Sequence, residues 1–242
     1  MIYIHTFFWL LYFVGYLIVM TPSNIYMWYL TKKGRIKERD KYIQRIIYKW
    51  ARRMMKAGGA KMEVHGVENI PKDTPVLFTP NHQGMYDVPA MITGMDAPHG
   101  LVAKKEALKY PILRTWMKYL HCVFIDRENP RNAVKALNET AENIKNGYSM
   151  VIFPEGTRSR SDTVGEFKHG AFKIAQKCGC PIVPVCIDGT YRIMEANGGI
   201  KMKPGKFKVT IFEPIDVKSL SKEEFKELPE KVRSMIQNQI GK

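Results

Sequence analysis

Val76-Leu77-Phe78-Thr79-Pro80-Asn81-His82-Gln83-Gly84-Met85-Tyr86-Asp87 is a short β-rich run, then a turn, then the start of a helical stretch at Val88–Met95. Such a strand delivers His82 to its carboxyl end, where α/β proteins place their sites. A neutral imidazole takes a proton from an alcohol, and a carboxylate on its other nitrogen fixes the tautomer and stabilises the cation. Residues five apart point to opposite faces of a strand and lie about 140° apart on a helix. His82 and Asp87 therefore meet only if His82 sits on the turn and Asp87 on the helix after it. The same spacing recurs at His121 and Asp126, but these flank the strand-like Val123–Ile125 and are expected to point apart.

Working outward, β-rich runs recur at Met62–His65, Val123–Ile125, Met150–Phe153, Ile182–Ile187 and Phe207–Phe212. Helical stretches lie between several of them, around Glu106–Tyr119, Arg131–Lys145, Gly170–Lys177 and Ser221–Ile240. Strands alternating with helices predict an α/β domain over residues 61–242, a mixed sheet flanked by helices.

The first 60 residues differ. Residues 1–30 carry no Lys, Arg, Asp or Glu, and Ile2–Met20 is almost wholly apolar. As a helix this run is about 29 Å long, enough for a bilayer core. It spans the membrane or dips in and returns at Pro22, with a buried core helix or a cleaved signal as lesser alternatives. Tyr26, Trp28 and Tyr29 suit the headgroup zone. Residues 31–60 then hold eleven basic and two acidic residues, +9 of the chain's +15, leaving +6 for residues 61–242. Residues 36–56 read as an amphipathic helix, with Ile36, Ile43, Ile46, Ile47, Trp50 and Met54 on one face; it suits anionic lipid, the favoured reading, or a domain helix with a solvated basic face. The basic block predicts a cell-membrane location with the catalytic domain on the cytoplasmic side. Residues 1–60 are therefore expected to be membrane-anchoring helices.

With 242 residues, 45% hydrophobic and 25% charged, the composition excludes a disordered, collagenous or coiled-coil chain. Its basic balance asks for an anionic partner; no motif supports nucleic acid, and the apolar leader favours a phospholipid membrane. Cys122, Cys178, Cys180 and Cys186 fit neither a zinc spacing nor a disulfide framework, and read as reduced structural thiols of an intracellular protein.

Four further segments follow the His82 loop in order: Lys104-Lys105-Glu106, Phe124-Ile125-Asp126-Arg127, Phe153-Pro154-Glu155-Gly156-Thr157-Arg158-Ser159, and Ile182-Val183-Pro184-Val185. Together with Asn81–Asp87 they resemble the 1-acyl-glycerol-3-phosphate acyltransferase family over roughly residues 60–215. The resemblance implies His82 as catalytic base and Asp87 as its orienting carboxylate. It implies that Lys104 or Lys105, with Arg127, binds the acceptor's phosphate or shapes its site. Glu155, Gly156, Thr157 and Arg158 match the acceptor-binding motif. Arg114 and His121 stand where the family commonly has glycine.

The implied reaction moves an acyl group from acyl-CoA or acyl-carrier protein to the sn-2 hydroxyl of lysophosphatidate, giving phosphatidate. No cofactor or metal is expected, and no Gly-x-Ser-x-Gly elbow calls for an acyl-enzyme. The alternatives are another lysophospholipid or glycerol 3-phosphate as acceptor, a thioesterase-like hydrolase, or a non-catalytic membrane-binding module.

Overall fold

The computed structural model describes residues 2–95, 99–126 and 129–242. Three helices lead: α1 (Ile2–Val19), α2 (Pro22–Lys32) and α3 (Ile36–Ala57). The sheet follows with β1 (Ala60–His65), β2 (Leu77–Pro80), β3 (His99–Lys104), β4 (Val123–Ile125), β5 (Ser149–Val151), β6 (Ile182–Asp188) and β7 (Gly205–Ile211). Between and after the strands come α4 (Asp87–Gly94), α5 (Pro111–Tyr119), α6 (Pro130–Lys145), α7 (His169–Cys178) and α8 (Lys222–Gln237).

The seven strands lie in the order β1-β7-β6-β2-β5-β3-β4. Every pairing is parallel except β6 with β7, so the sheet is mixed, as the alternation predicted. The fully buried β2 lies at the centre, Phe78 opposite Val151 on one side and Val183 on the other.

Successive side chains leave opposite faces of a strand, and two cores result. Phe78, Val151, Val183, Val185 and Ile187 join Ile43, Ile47, Met91 and Trp116 from α3, α4 and α5. Leu77, Met150, Ile182 and Cys186 join Ile144, Phe172, Ile174, Val232 and Ile236 from α6, α7 and α8. The sheet is thus covered on both faces, as a largely parallel sheet requires.

The structure corrects the lipid reading of residues 36–56. The helix forms as expected, but Ile43, Ile46, Ile47 and Met54 are buried in the protein's own core. Most of its apolar face is one layer of the fold, while Ile36 and Tyr48 and the basic residues Lys37, Lys41, Arg45, Lys49 and Arg52 are exposed. Arg39 and Asp40, both buried, pair at the start of this helix.

The apolar leader docks on α3 along one side. His5 Nε2 reaches Ala57 O at 3.0 Å, Trp9 Nε1 donates to Met54 O at 3.3 Å, and Phe13 lies 6.1 Å from the Trp50 ring. Its other side is exposed through Tyr3, Ile4, Phe7, Phe8, Leu11 and Ile18. Thr21 keeps helical angles and Pro22 takes the first turn of α2, so the chain continues as helix to Lys32. The stretch Ile2–Lys32 is long and apolar enough to cross a membrane.

Strand β3 is absent from the sequence reading, because only Leu101-Val102-Ala103 is apolar within it and His99-Gly100 disfavours a strand. The stretch expected as one helix over Glu106–Tyr119 divides at Tyr110, since Pro111 cannot continue a preceding helix and opens α5.

Candidate active site

His82 sits on the loop after β2, and Asp87 is the first residue of α4. That is the one arrangement in which the five-residue spacing brings them together. His82 Nδ1 lies 2.7 Å from Asp87 Oδ2. The Asp87 side chain is wholly buried, while that of His82 is 16% exposed. Gly84 N–H also donates to Oδ2, at 2.8 Å, and the Thr190 hydroxyl donates to Oδ1. The carboxylate is acceptor-only, so Nδ1 carries the ring proton and Nε2 presents its lone pair when His82 is neutral. The ring stacks on Phe153 at 4.0 Å between centroids, which fixes its plane.

Backbone bonding stitches this loop to its neighbours. Asn81 exchanges two hydrogen bonds with the Ile187 backbone, at 2.9 and 2.7 Å, extending the β2–β6 pairing through a side chain. Gln83 Oε1 accepts from Gly189 N–H at 2.7 Å. Ser159 N–H donates to His82 O at 2.8 Å, linking the loop to residues 154–160. Asn81 and Gln83 stand in the sequence motif with no role of their own, and Thr190 has no part in the sequence reading. Their partners lie about a hundred residues away in the chain, and no local spacing signals such pairs.

Glu155 differs from its expected role among the acceptor-binding residues. Its carboxylate turns inward, where Oε1 accepts from His82 N–H at 2.7 Å and Oε2 from Gly165 N–H at 3.0 Å. Both oxygens hold backbone, leaving Glu155 as a brace for the His82 loop. Burial raises its pKa, against the lowering effect of these two amides. Gly156, at φ +71°, turns the chain from this brace toward Thr157 and Arg158.

A cavity of about 440 Å³ opens beside His82. Ile47, Trp50, Val88, Leu113, Trp116 and Met117 make much of its wall apolar, from α3, α4 and α5. His82, Lys104, Thr157, Arg158 and Arg160 supply its polar side. Arg160 holds a left-handed backbone, φ 58°, at this edge. Leu101, Val102, Ala103 and Lys104 of β3 also line it, with Leu120 and Cys122.

The expected cations are placed as follows. Arg158 Nη1 lies 3.3 Å from Glu195 Oε1. Lys104 Nζ lies 3.4 Å from Glu106, and Lys105 Nζ 2.8 Å from Asp126. Lys104 lines the cavity, while Lys105 turns to Asp126. Arg127 lies outside the described residues. The competing pair is split: His121 stacks on Tyr148 and reaches Asp40 at 3.2 Å. Among the described residues no group of three or more His, Cys, Asp or Glu is gathered as for a metal.

Comparison with known proteins shows the family of the chain. A family model described as Acyltransferase matches residues 61–188. The chloroplastic 1-acyl-sn-glycerol-3-phosphate acyltransferase of Brassica napus is 35% identical over 156 residues, 64% of this chain and 45% of that protein. The chain thus spans a little under half the length of that relative. The 1-acyl-sn-glycerol-3-phosphate acyltransferase of Haemophilus influenzae is 30% identical over 202 residues, 81% of each chain. The crystal structure of the 1-acyl-sn-glycerophosphate acyltransferase from Thermotoga maritima superposes with a TM-score of 0.80 at 33% identity, covering 98% of this chain and 95% of that one. On the domain match, the near full-length relatives and the shared fold, this chain belongs to the 1-acyl-sn-glycerol-3-phosphate acyltransferase family.

Proposed function

We propose that this protein transfers a fatty acyl group from an acyl thioester to the sn-2 hydroxyl of 1-acyl-glycerol-3-phosphate, forming phosphatidate. One observation carries the reading: a buried carboxylate orients His82 at the polar side of an otherwise apolar cavity. That juxtaposition suits a reaction between an alcohol and a fatty acyl group.

In this mechanism His82 Nε2 takes the hydroxyl proton as the acceptor oxygen attacks the thioester carbonyl carbon. Asp87 keeps the ring oriented and stabilises the imidazolium that forms. The tetrahedral intermediate collapses with cleavage of the C–S bond, and the imidazolium returns its proton to the departing thiolate. The acyl chain lies in the cavity between α3, α4, α5 and β3. Arg158 and Lys104, at the same polar side, hold the acceptor's phosphate, Arg158 in the bidentate manner open to a guanidinium. Thr157 and Gly156 shape that side. Acyl-CoA and acyl-carrier protein both suit as donors, since both are acidic.

The membrane reading rests on α1. One side is committed to α3 and the other exposes a row of large apolar residues. A helix docked along its length in this way inserts shallowly into one leaflet, with its basic neighbour α3 turned to anionic headgroups of the cytoplasmic face. The acceptor, itself a membrane lipid, then reaches the cavity without crossing water.

The test is purified protein with each donor and a panel of lysophosphatidate, other lysophospholipids, glycerol 3-phosphate and no acceptor. Phosphatidate as the main product supports the reading. Release of free fatty acid without an acceptor, or acylation of a different acceptor in preference, contradicts it.

A further inference from the structure

Glu195 carries no expected role, yet it joins the two loops that form the site. Its side chain is 4% exposed. Oε1 accepts from Met85 N–H at 2.8 Å and from Arg158 Nη1 at 3.3 Å. Oε2 is buried and, among the described residues, has no donor. It lies over Gly84, where a Cβ would stand 2.5 Å from it. Glycine at 84 is therefore what lets this carboxylate come so close to the His82 loop.

The arrangement is asymmetric. A buried carboxylate oxygen without a donor is costly, and such groups in folded proteins ask for an explanation. Here Oε1 serves both loops: Met85 lies between His82 and Asp87, and Arg158 lies on the loop lining the cavity. The contact engages one nitrogen of Arg158, whose side chain is 37% exposed. A guanidinium has five N–H donors, so most of the fork stays open toward the cavity that it shares with His82. Holding one corner of a planar fork reduces what must be ordered when an anion binds. The same carboxylate fixes the distance between that fork and the imidazole.

We propose that Glu195 is a positioning residue for acceptor recognition, setting Arg158 against the His82 loop so that an acceptor's phosphate and hydroxyl are held in register. This rests on the reading above, in which Arg158 binds that phosphate. Glu195 touches no substrate. The Glu195→Gln variant retains a side-chain oxygen that accepts from both donors, whereas Glu195→Ala retains none.

The experiment measures KM for lysophosphatidate and for the acyl thioester in native protein, Glu195→Gln, Glu195→Ala, Arg158→Ala and the Arg158→Ala/Glu195→Ala double variant. Glu195→Ala is expected to raise acceptor KM about 10-fold with donor KM changed less than about 2-fold, and Glu195→Gln to stay within about 3-fold of native. On the Arg158→Ala background, Glu195→Ala should shift acceptor KM by less than about 2-fold, because the two act as one unit. A fall in kcat with acceptor KM unmoved, or a double variant whose effects multiply, overturns the proposal while leaving acyl transfer standing. Arg158→Ala with unchanged acceptor KM overturns the phosphate role of Arg158 and this proposal together. Melting curves of each variant separate loss of fold from loss of positioning, and Glu195→Gln keeps the test open if Glu195→Ala unfolds.

Discussion

Asp87 is the residue on which the site turns. It is wholly buried, and its three donors come from the imidazole, the Gly84 amide and the Thr190 hydroxyl. Asp87→Asn keeps the shape but reverses the hydrogen-bond demand on Nδ1, and kcat should fall by about 10³–10⁴-fold. Thr190→Val removes only the outer hydroxyl, and single-turnover rates should fall by about 10-fold, the loss of one orienting bond. Glu155 makes a pH prediction. Burial raises its folded pKa above the ordinary 4.5, so its contribution is fully present below that value and is lost as pH rises through the folded one. Relative to Glu155→Gln, native protein should lose melting temperature as pH rises above about 4.5; a relative gain would contradict the raised pKa. The dyad is legible in sequence because a strand, a turn and a helix fix it within six residues. Thr190, Gln83 and Glu195 are illegible because only the tertiary fold brings the chain near residue 190 to the His82 loop.

Among the elements, α3 shows how far pattern alone reaches. Its period gives the correct helix and the correct apolar face, but an apolar face has no label for what covers it. Lipid and a protein core make the same demand on sequence, and here the sheet and α5 meet it. Strand β3 escapes notice for another reason: of its six residues only Leu101-Val102-Ala103 forms an apolar run, too short to mark a strand. Trp116 of α5 is fully buried, packs near Trp50 and lines the cavity. Trp116→Ala should destabilise the fold by about 3–5 kcal/mol in denaturant unfolding, with a transfer and a cavity contribution. Leu101 lines the apolar wall of the cavity. Leu101→Phe should shift donor preference toward shorter acyl chains, read as kcat/KM across a chain-length series. An unchanged preference would place the acyl group elsewhere.

At the scale of the whole molecule, the uncharged leader and the +9 segment behind it pack together. The leader packs on α3 through His5, Trp9 and Phe13, which leaves its opposite side exposed. Replacing Phe7, Phe8 and Leu11 by Ser removes exposed apolar area without touching the α3 contacts. Binding to anionic vesicles should then weaken by at least about 10-fold, since each buried CH₂ is worth about 0.8 kcal/mol, while circular dichroism stays native. Undiminished flotation with vesicles would contradict the shallow insertion. The account as a whole rests on His82 as the base that activates the acceptor. Its most direct test is the single-turnover rate of phosphatidate formation by purified His82→Ala, with enzyme in excess over acyl thioester and lysophosphatidate saturating. The prediction is a loss of about 10³-fold or more with the melting temperature retained; a rate within about 10-fold of native would contradict it.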